Sequence, residues 1–279
     1  MSSPIRLGVA GNPVAHSLSP DIHSAFAASL GLEIDYQRYL FPEDGFQREA
    51  AGFFAAQGLG LNVTVPFKQD AYDFAYTLHP LAQAAGAVNT LLQQDGKITG
   101  FNTDGIGMVR DLQARHHIDL SGRSALILGA GGACRGVIQP LLDAGVDSIC
   151  IVNRTLSRAQ DIVDHFAGLG TTGLQAVALG AMTAGSQAAD LIFNSTSMGL
   201  GQEAVALPEE LVAGRICYDL SYGPQAHFAR WAKEHGASVS VDGLGMLVEQ
   251  AAESFAIWLG QRPDTDPVYA QLRQLTDAS

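Results

Sequence analysis

Cysteine is scarce in this chain. Three occur in 279 residues, Cys134, Cys150 and Cys217, far apart and with no C-x-x-C among them. An odd count without paired spacing gives neither a disulfide framework nor a zinc site. The three read as buried apolar thiols in a reducing cytoplasm. Long apolar runs are also missing: no stretch reaches the roughly 18 residues that a membrane-spanning helix needs. The opening MSSPIRLGVAGNPVAH has no charged region followed by a long apolar one, so no secretory signal is read there. The expectation is a cytoplasmic protein without a membrane partner. Basic charge is thin as well. Lys and Arg number 16 against 28 Asp and Glu, the formal net charge is −12, and no Lys/Arg run occurs. A chain that binds a phosphate backbone needs a basic surface, so a nucleic-acid partner is not expected. Internal repeats and low-complexity tracts are absent.

What is present points to a globular α/β protein. Hydrophobic residues make up 47% and charged residues 16%, enough apolar surface for a core and too much for disorder. The length exceeds one average domain. IRLGVA (5–10) is a short apolar run that ends in Gly-Asn-Pro, hence a strand and a turn. Ser19-Pro20-Asp21 predicts a helix start, with Ser19 as cap, Pro20 in the first helical position and Asp21 at the positive end of the dipole. Strand patterns follow at 36–41 and 61–65, and helices run from Pro42 to about Gln57 and over FKQDAYDFAYTL (67–78). AVNTLLQ and KITGFN flank Gln94-Asp95-Gly96, a hairpin turn. A helix pattern over 104–115 then leads into a polar segment, 116–123, which composition marks as a candidate domain boundary. Beyond it SALILG, SICIVN, LQAVAL, ADLIFN, RICYDL and ASVSV alternate with helix patterns, a second parallel α/β unit. From 243 onward the chain is mostly helical.

SALILGAGGACRG (124–136) is a buried strand that runs into a glycine-rich turn and a helix. Gly129, Ala130, Gly131, Gly132 and Ala133 are all small, so a helix N-terminus with free N–H groups can approach a pyrophosphate. Cys134 takes the third position of the usual G-x-G-x-x-G fingerprint and is still small enough for close packing. A tight turn without a ligand would read similarly. The strand before, the helix after and another strand roughly 20 residues on favour a dinucleotide. At the end of that next strand NAD enzymes usually carry an acid for the ribose 2′-hydroxyl. Here stand Asn153, Arg154 and Thr155, with Arg158 one turn into the helix. No carboxylate and two guanidiniums suit a 2′-phosphate, so NADP is expected over NAD.

Polar residues gather where the strands of the first half end: Ser17 and Ser19, then Asn62, Thr64 and Lys68, then Asn89, then Asn102, Thr103 and Asp104. Each alone has an ordinary explanation. Ser19 and Asp104 can cap helices, Asn89 can sit in a turn, and Lys68 can be a solvated cation at a helix start. Arriving from separate loops of an open α/β sheet, and without aromatic cover, they suggest a small polyhydroxylated or carboxylated ligand. His16 and His23 flank the first loop; with no second cluster of ligands they read as structural, and no metal is expected.

Taken in order, GNPVAHSLSP, NVTVPFK, AGAVNT, GFNTDG, GAGGACRG, NRTLSR, NSTSMG, YDLSYGP and DGLGMLVEQ resemble the shikimate dehydrogenase family. The resemblance covers nearly all of the chain. It implies a two-domain α/β protein that reduces 3-dehydroshikimate to shikimate with NADPH. The implied domains are a substrate domain over 1–104 plus about 243–279, built on a mostly parallel sheet, and a Rossmann-type NADP domain over 105–242. It also implies roles. Ser17, Ser19 and Tyr222 would hold the substrate carboxylate, and Asn62, Thr64, Asn89, Asp104 and Gln250 the ring hydroxyls. Lys68 and Asp104 would form the catalytic pair. Gly129 to Ala133 and Asn153 to Arg158 would bind the dinucleotide, with Thr196, Leu220 and Gly243 beside the nicotinamide. The partners expected are the small-molecule substrate and, at most, a second copy of the chain. Leu200 and Leu220 stand where many relatives have Met, a swap that keeps shape and polarity. The competing reading is a quinate/shikimate dehydrogenase with broader substrate or NAD use. Such relatives tend to carry an acid right after the Asn-Arg pair, where this chain has Thr155 and Leu156.

Overall fold

The computed structural model describes residues 4–182, 188–196 and 207–277; Leu200, one of the two departures noted above, lies outside them. The chain divides into two compact units. One holds the residues up to Gly107 together with Leu247–Gln271, and the other holds Met108–Met246 together with the residues from Leu272 on. The division falls within helices rather than in the polar segment 116–123. That segment carries Ile118 and Leu120, both buried, and two apolar anchors suffice to bind a polar-looking stretch to the second unit.

The first unit runs β1 (Ile5–Gly11), α1 (Ser19–Ser29), β2 (Ile34–Leu40), α2 (Phe46–Ala55), β3 (Gly60–Val63), α3 (Lys68–Phe74), β4 (Thr77–Leu78), α4 (Pro80–Ala85), β5 (Thr90–Gln94), β6 (Lys97–Phe101) and the start of α5 (Asp104–Arg110). Its sheet has the order β2-β1-β3-β5-β6-β4. β5 alone runs against the other strands. The β5–β6 turn puts both Asp95 (φ 52°) and Gly96 (φ 74°) in the left-handed region, the conformation that two-residue hairpins select and that Asp-Gly tolerates. One core packs Phe41, Phe46, Phe53, Phe54 and Phe67 against Leu61, Val63 and Leu91. Another gathers Leu7, Val9, Val14, Tyr36 and Trp258.

Three local expectations change. Ser19 is the first residue of α1 and not its cap; Leu18 holds that place and no side chain caps the helix. Ser19 instead accepts a hydrogen bond from the Ser17 hydroxyl at 3.1 Å. α2 starts at Phe46, because Pro42 to Gly45 close a turn through Gly45 N–H donating to the Pro42 carbonyl at 2.9 Å. α3 stops at Phe74, since Ala75 turns extended and Tyr76 N–H donates to the Ile98 carbonyl at 2.9 Å. That bond draws Thr77 and Leu78 into the sheet beside β6.

The second unit runs β7 (Ser124–Leu128), α6 (Gly132–Asp143), β8 (Ser148–Asn153), α7 (Leu156–Gly168), β9 (Leu174–Ala178), β10 (Leu191–Asn194), β11 (Ile216–Asp219), α8 (His227–Glu234) and β12 (Val239–Asp242). Two last helices, α9 (Leu244–Leu259) and α10 (Asp266–Asp277), each belong in part to both units. The sheet order is β12-β11-β10-β7-β8-β9, parallel throughout. Its strand order reverses between β7 and β10, the position where doubly wound sheets open a crevice for a ligand. All three cysteines are free and buried, and burial pushes the thiols up, to about 12 for Cys134 and Cys217 and about 11 for Cys150. Among the described residues no helix is long and apolar enough to cross a membrane.

Candidate active site

In the first unit the chain leaves β3, breaks at Pro66 and enters α3 at Lys68. Phe67, wholly buried, packs on Phe46 and Phe41 at ring-centroid distances of 5.4 and 6.3 Å. With Phe67 anchored, the next residue is held at the helix start, and Lys68 Nζ reaches Asp104 Oδ2 at 2.5 Å. The lysine side chain keeps 21% of its surface exposed and the aspartate 9%, so the cation remains open to a ligand while its partner is nearly enclosed. Asp104 opens α5, where the helix dipole favours a negative charge. It does not spend its carboxylate on capping. Asn102, two residues before it, accepts the Asp104 N–H at 3.2 Å, and Asp104 Oδ1 accepts from Asn89 Nδ2 at 2.8 Å.

Asn89 is the centre of a buried polar cluster. Its Oδ1 accepts from Thr103 N–H at 2.9 Å and from the Thr90 hydroxyl at 3.0 Å. Its Nδ2 donates to Thr103 Oγ1 at 2.9 Å and lies 3.5 Å from Gln250 Oε1. Asn62 joins from β3, donating to Thr90 Oγ1 and Ser254 Oγ, each at 3.1 Å. Asn62, Asn89, Lys68, Asp104 and Gln250 are thus brought together. Thr64 stands on the same turn as Lys68, its carbonyl accepting Phe67 N–H at 3.0 Å. Ser17 and Ser19 pair with each other at the start of α1, and the Ser17 carbonyl accepts from Arg38.

Three participants escaped the sequence reading. Tyr36 donates to Asn62 Oδ1 at 2.7 Å, and Thr90 and Ser254 link the two asparagines. Tyr36 sat in an ordinary strand pattern, and Thr90 sat unnoticed in the quoted AGAVNT. Ser254 offered one local cue: it lies a helical turn after Gln250 and donates to its carbonyl at 3.0 Å. His23 is wholly buried, and among the described residues neither ring nitrogen has a partner at hydrogen-bonding geometry. Burial pulls it down to about 3, only partly offset by the neighbouring Asn62 side chain.

In the second unit β7 is followed directly by Gly129, whose φ is +102°. A Cβ there would come within 2.8 Å of Ser195 Oγ and Thr196 Cγ2, so the position requires glycine on both counts. Gly131 and Gly132 open α6 and are exposed. A Cβ added to either would meet nothing within 4 Å among the described residues. Among the described residues, then, their lack of side chains serves no packing, and it leaves the backbone at the helix N-terminus uncovered by a Cβ. Ala130 and Ala133 flank them, half-buried, and Cys134 fills the buried side of the first turn. Asn153 ends β8 and folds back on its own turn, Nδ2 donating to the Thr155 carbonyl at 2.8 Å. Arg154 and Arg158 are both exposed, and neither makes an ion pair among the described residues.

The strand ends opposite are organised by two further residues the sequence reading missed, Asn194 and Asp219. Asn194 Oδ1 accepts from Thr196 Oγ1 at 2.6 Å, and its Nδ2 donates to Asp219 Oδ1 at 2.9 Å. Asp219 Oδ2 accepts the Phe228 and Ala229 N–H groups that open α8. Burial raises the Asp219 carboxyl, with these hydrogen bonds opposing. Leu220 follows directly, its N–H donating to the Asn194 carbonyl at 2.9 Å. Gly243 lies against it so closely that a Cβ would stand 2.4 Å from the Leu220 carbonyl oxygen. Tyr222 lies two residues beyond Leu220, half-buried, ahead of a short turn at Gly223–Gln225.

The family described as shikimate dehydrogenase substrate binding domain matches residues 9–91. Shikimate / quinate 5-dehydrogenase matches residues 111–210, and the shikimate 5′-dehydrogenase C-terminal domain matches residues 243–273. A shikimate dehydrogenase (NADP(+)) of Alkalilimnicola ehrlichii is 49% identical, covering 96% of this chain and 98% of its own. Among solved structures, a shikimate 5-dehydrogenase of Thermus thermophilus in complex with NADP(H) and shikimate superposes with a TM-score of 0.84 at 38% identity, covering 97% and 99%. An Ael1 enzyme from Pseudomonas putida reaches a TM-score of 0.88 at 37% identity, covering 96% and 98%.

Proposed function

The chain belongs to the shikimate dehydrogenase family, and from that premise we propose that it interconverts 3-dehydroshikimate and shikimate with NADP, a step of aromatic amino acid biosynthesis. The observation that carries the reading at the level of residues is the contact between Lys68 and Asp104 within a cluster of uncharged hydrogen-bonding side chains. Reducing a ketone requires a hydride and a proton. Bound NADPH supplies the hydride. Lys68, in this reading, donates a hydrogen bond to the ketone oxygen as alkoxide charge builds, and gives or relays the proton; in the oxidative direction it takes the hydroxyl proton. Asp104 holds the ammonium in place with one oxygen while Asn89 fixes the other. Asn62, Thr64, Asn89, Asp104 and Gln250 serve the ring hydroxyls, and Ser17 and Ser19 the carboxylate. The side-chain-free backbone of Gly131 and Gly132 suits a pyrophosphate, and Arg154 and Arg158, without an ion pair among the described residues, suit the 2′-phosphate. The buried unpaired cysteines support a cytoplasmic setting.

The test follows NADPH absorbance in purified protein given shikimate and NADP⁺. Reduction of NADP⁺ with shikimate is expected. No turnover would sink the reading, and comparable rates with quinate or NAD⁺ would move it to the broader quinate/shikimate class.

A further inference from the structure

We infer that Tyr36 is a positioning residue for the Lys68–Asp104 pair, acting through Asn62, Thr90 and Asn89. The inference rests on the reading of that pair as the catalytic one. The Tyr36 hydroxyl donates to Asn62 Oδ1 at 2.7 Å. Asn62 Nδ2 donates to Thr90 Oγ1 at 3.1 Å, and Thr90 Oγ1 donates to Asn89 Oδ1 at 3.0 Å. Asn89 Nδ2 donates to Asp104 Oδ1 at 2.8 Å, and Lys68 closes on Asp104 Oδ2 at 2.5 Å. From Tyr36 to Asp104 every link donates in the same sense, so the dipoles point in one direction and end on a carboxylate whose other oxygen accepts from Lys68.

Two backbone groups fix that sense. The Asn89 carbonyl can only accept, and it lies 3.3 Å from Asn62 Nδ2. The Thr103 N–H can only donate, and it lies 2.9 Å from Asn89 Oδ1. Neither amide can flip without setting like against like. Asn62 Oδ1 then needs a donor, and Tyr36 supplies it. Burial raises the Tyr36 phenol well above its ordinary value, against opposing effects of Ser19 and Arg38, so it stays a donor through the working range. Packing sets the ring independently of the hydroxyl: it stacks on His23 at 4.5 Å and 10°. Ser254 braces the middle of the chain, 2.8 Å from Thr90 Oγ1 and 3.1 Å from Asn62 Nδ2. Tyr36 and Asp104 thus share a line of polar contacts without touching.

The test is a double-mutant cycle. Tyr36→Phe keeps the ring and its stack and removes the hydroxyl; Thr90→Val breaks the middle link, and Thr90→Ser restores it. Tyr36→Phe and Thr90→Val are each expected to lower kcat about threefold to tenfold, the scale of one net hydrogen bond, with KM for NADPH unchanged. The double variant is expected to be no slower than the slower single one, and Thr90→Ser to run near wild type. A merely structural role would move melting temperature and every kinetic constant together. Wild-type kcat in Tyr36→Phe, or losses that multiply in the double variant, would overturn the inference. If Tyr36→Phe folds poorly, the Thr90 pair decides: Thr90→Val at full kcat overturns it. Retained activity in Lys68→Ala would instead overturn the reading of the pair itself.

Discussion

Lys68 Nζ stands 2.5 Å from Asp104 Oδ2, a contact that the first unit closes across 36 residues of chain. It joins the first residue of one helix to the first residue of another. Each is held there by a neighbour, Phe67 in the core and Asn102, which accepts the Asp104 N–H. A pair fixed at both ends should behave as a unit. Lys68→Ala and Asp104→Asn are each expected to lower kcat by about 10²-fold or more, with the double variant close to the worse single one. Steady-state kinetics of shikimate oxidation checks this, and losses that multiply would show two independent roles.

Arg154 and Arg158 follow β8 with no carboxylate beside them in sequence and no ion pair among the described residues. Replacing both by alanine is expected to raise KM for NADPH by about tenfold or more, the loss of a charge-assisted contact to a phosphate. KM for NADH should barely move. Equal effects on both cofactors would place the arginines away from the 2′-phosphate.

Two glycines of one turn should separate stability from binding. Gly129→Ala combines a φ of +102° with contacts of 2.8 Å, so about 1–3 kcal/mol of stability should go with it. Gly131→Ala meets no atom of the described residues within 4 Å and should melt like wild type. It places a methyl group where a pyrophosphate would approach, so NADPH affinity should fall. Fluorescence titration together with thermal melts checks both. Unchanged affinity in Gly131→Ala would remove the turn from the dinucleotide site.

His23 predicts a pH dependence. In the unfolded chain it titrates near 6.5, and in the fold burial holds it at about 3. Below 6.5 the unfolded state therefore binds a proton that the folded state refuses. Its contribution to stability is complete above pH 6.5 and is lost as pH falls towards 3. Between pH 7.5 and 5.5 the loss from this residue alone should be about 1–2 kcal/mol. His23→Phe should be near wild type at pH 7.5, because the ring nitrogens have no partners to forfeit, and should flatten that slope. Denaturant unfolding at the two pH values measures it, and parallel slopes would show that His23 takes up no proton on unfolding.

Much of this protein is local in origin and therefore legible in sequence. The six parallel strands of the second unit announce themselves as short apolar runs between helix patterns. The turn at Asp95-Gly96 and the glycines after β7 follow from backbone conformations that few residues can adopt. Lys68, Asn89 and Asp104 stood out as polar residues at strand ends. The ends of α2 and α3 were misjudged because a turn at Pro42 and a bond from Tyr76 to Ile98 compete with helix continuation. Composition alone draws a boundary in the polar stretch 116–123, although Ile118 and Leu120 within it are buried. Only the tertiary structure could bring Ser254 to Asn62 across 192 residues, or show that Tyr36 feeds the chain that ends on Asp104. Periodicity and turn chemistry are properties of neighbouring residues, so the sequence by itself determined the elements. The direction of a hydrogen bond depends on which buried donors and acceptors meet when distant segments pack, and that was decided by the fold.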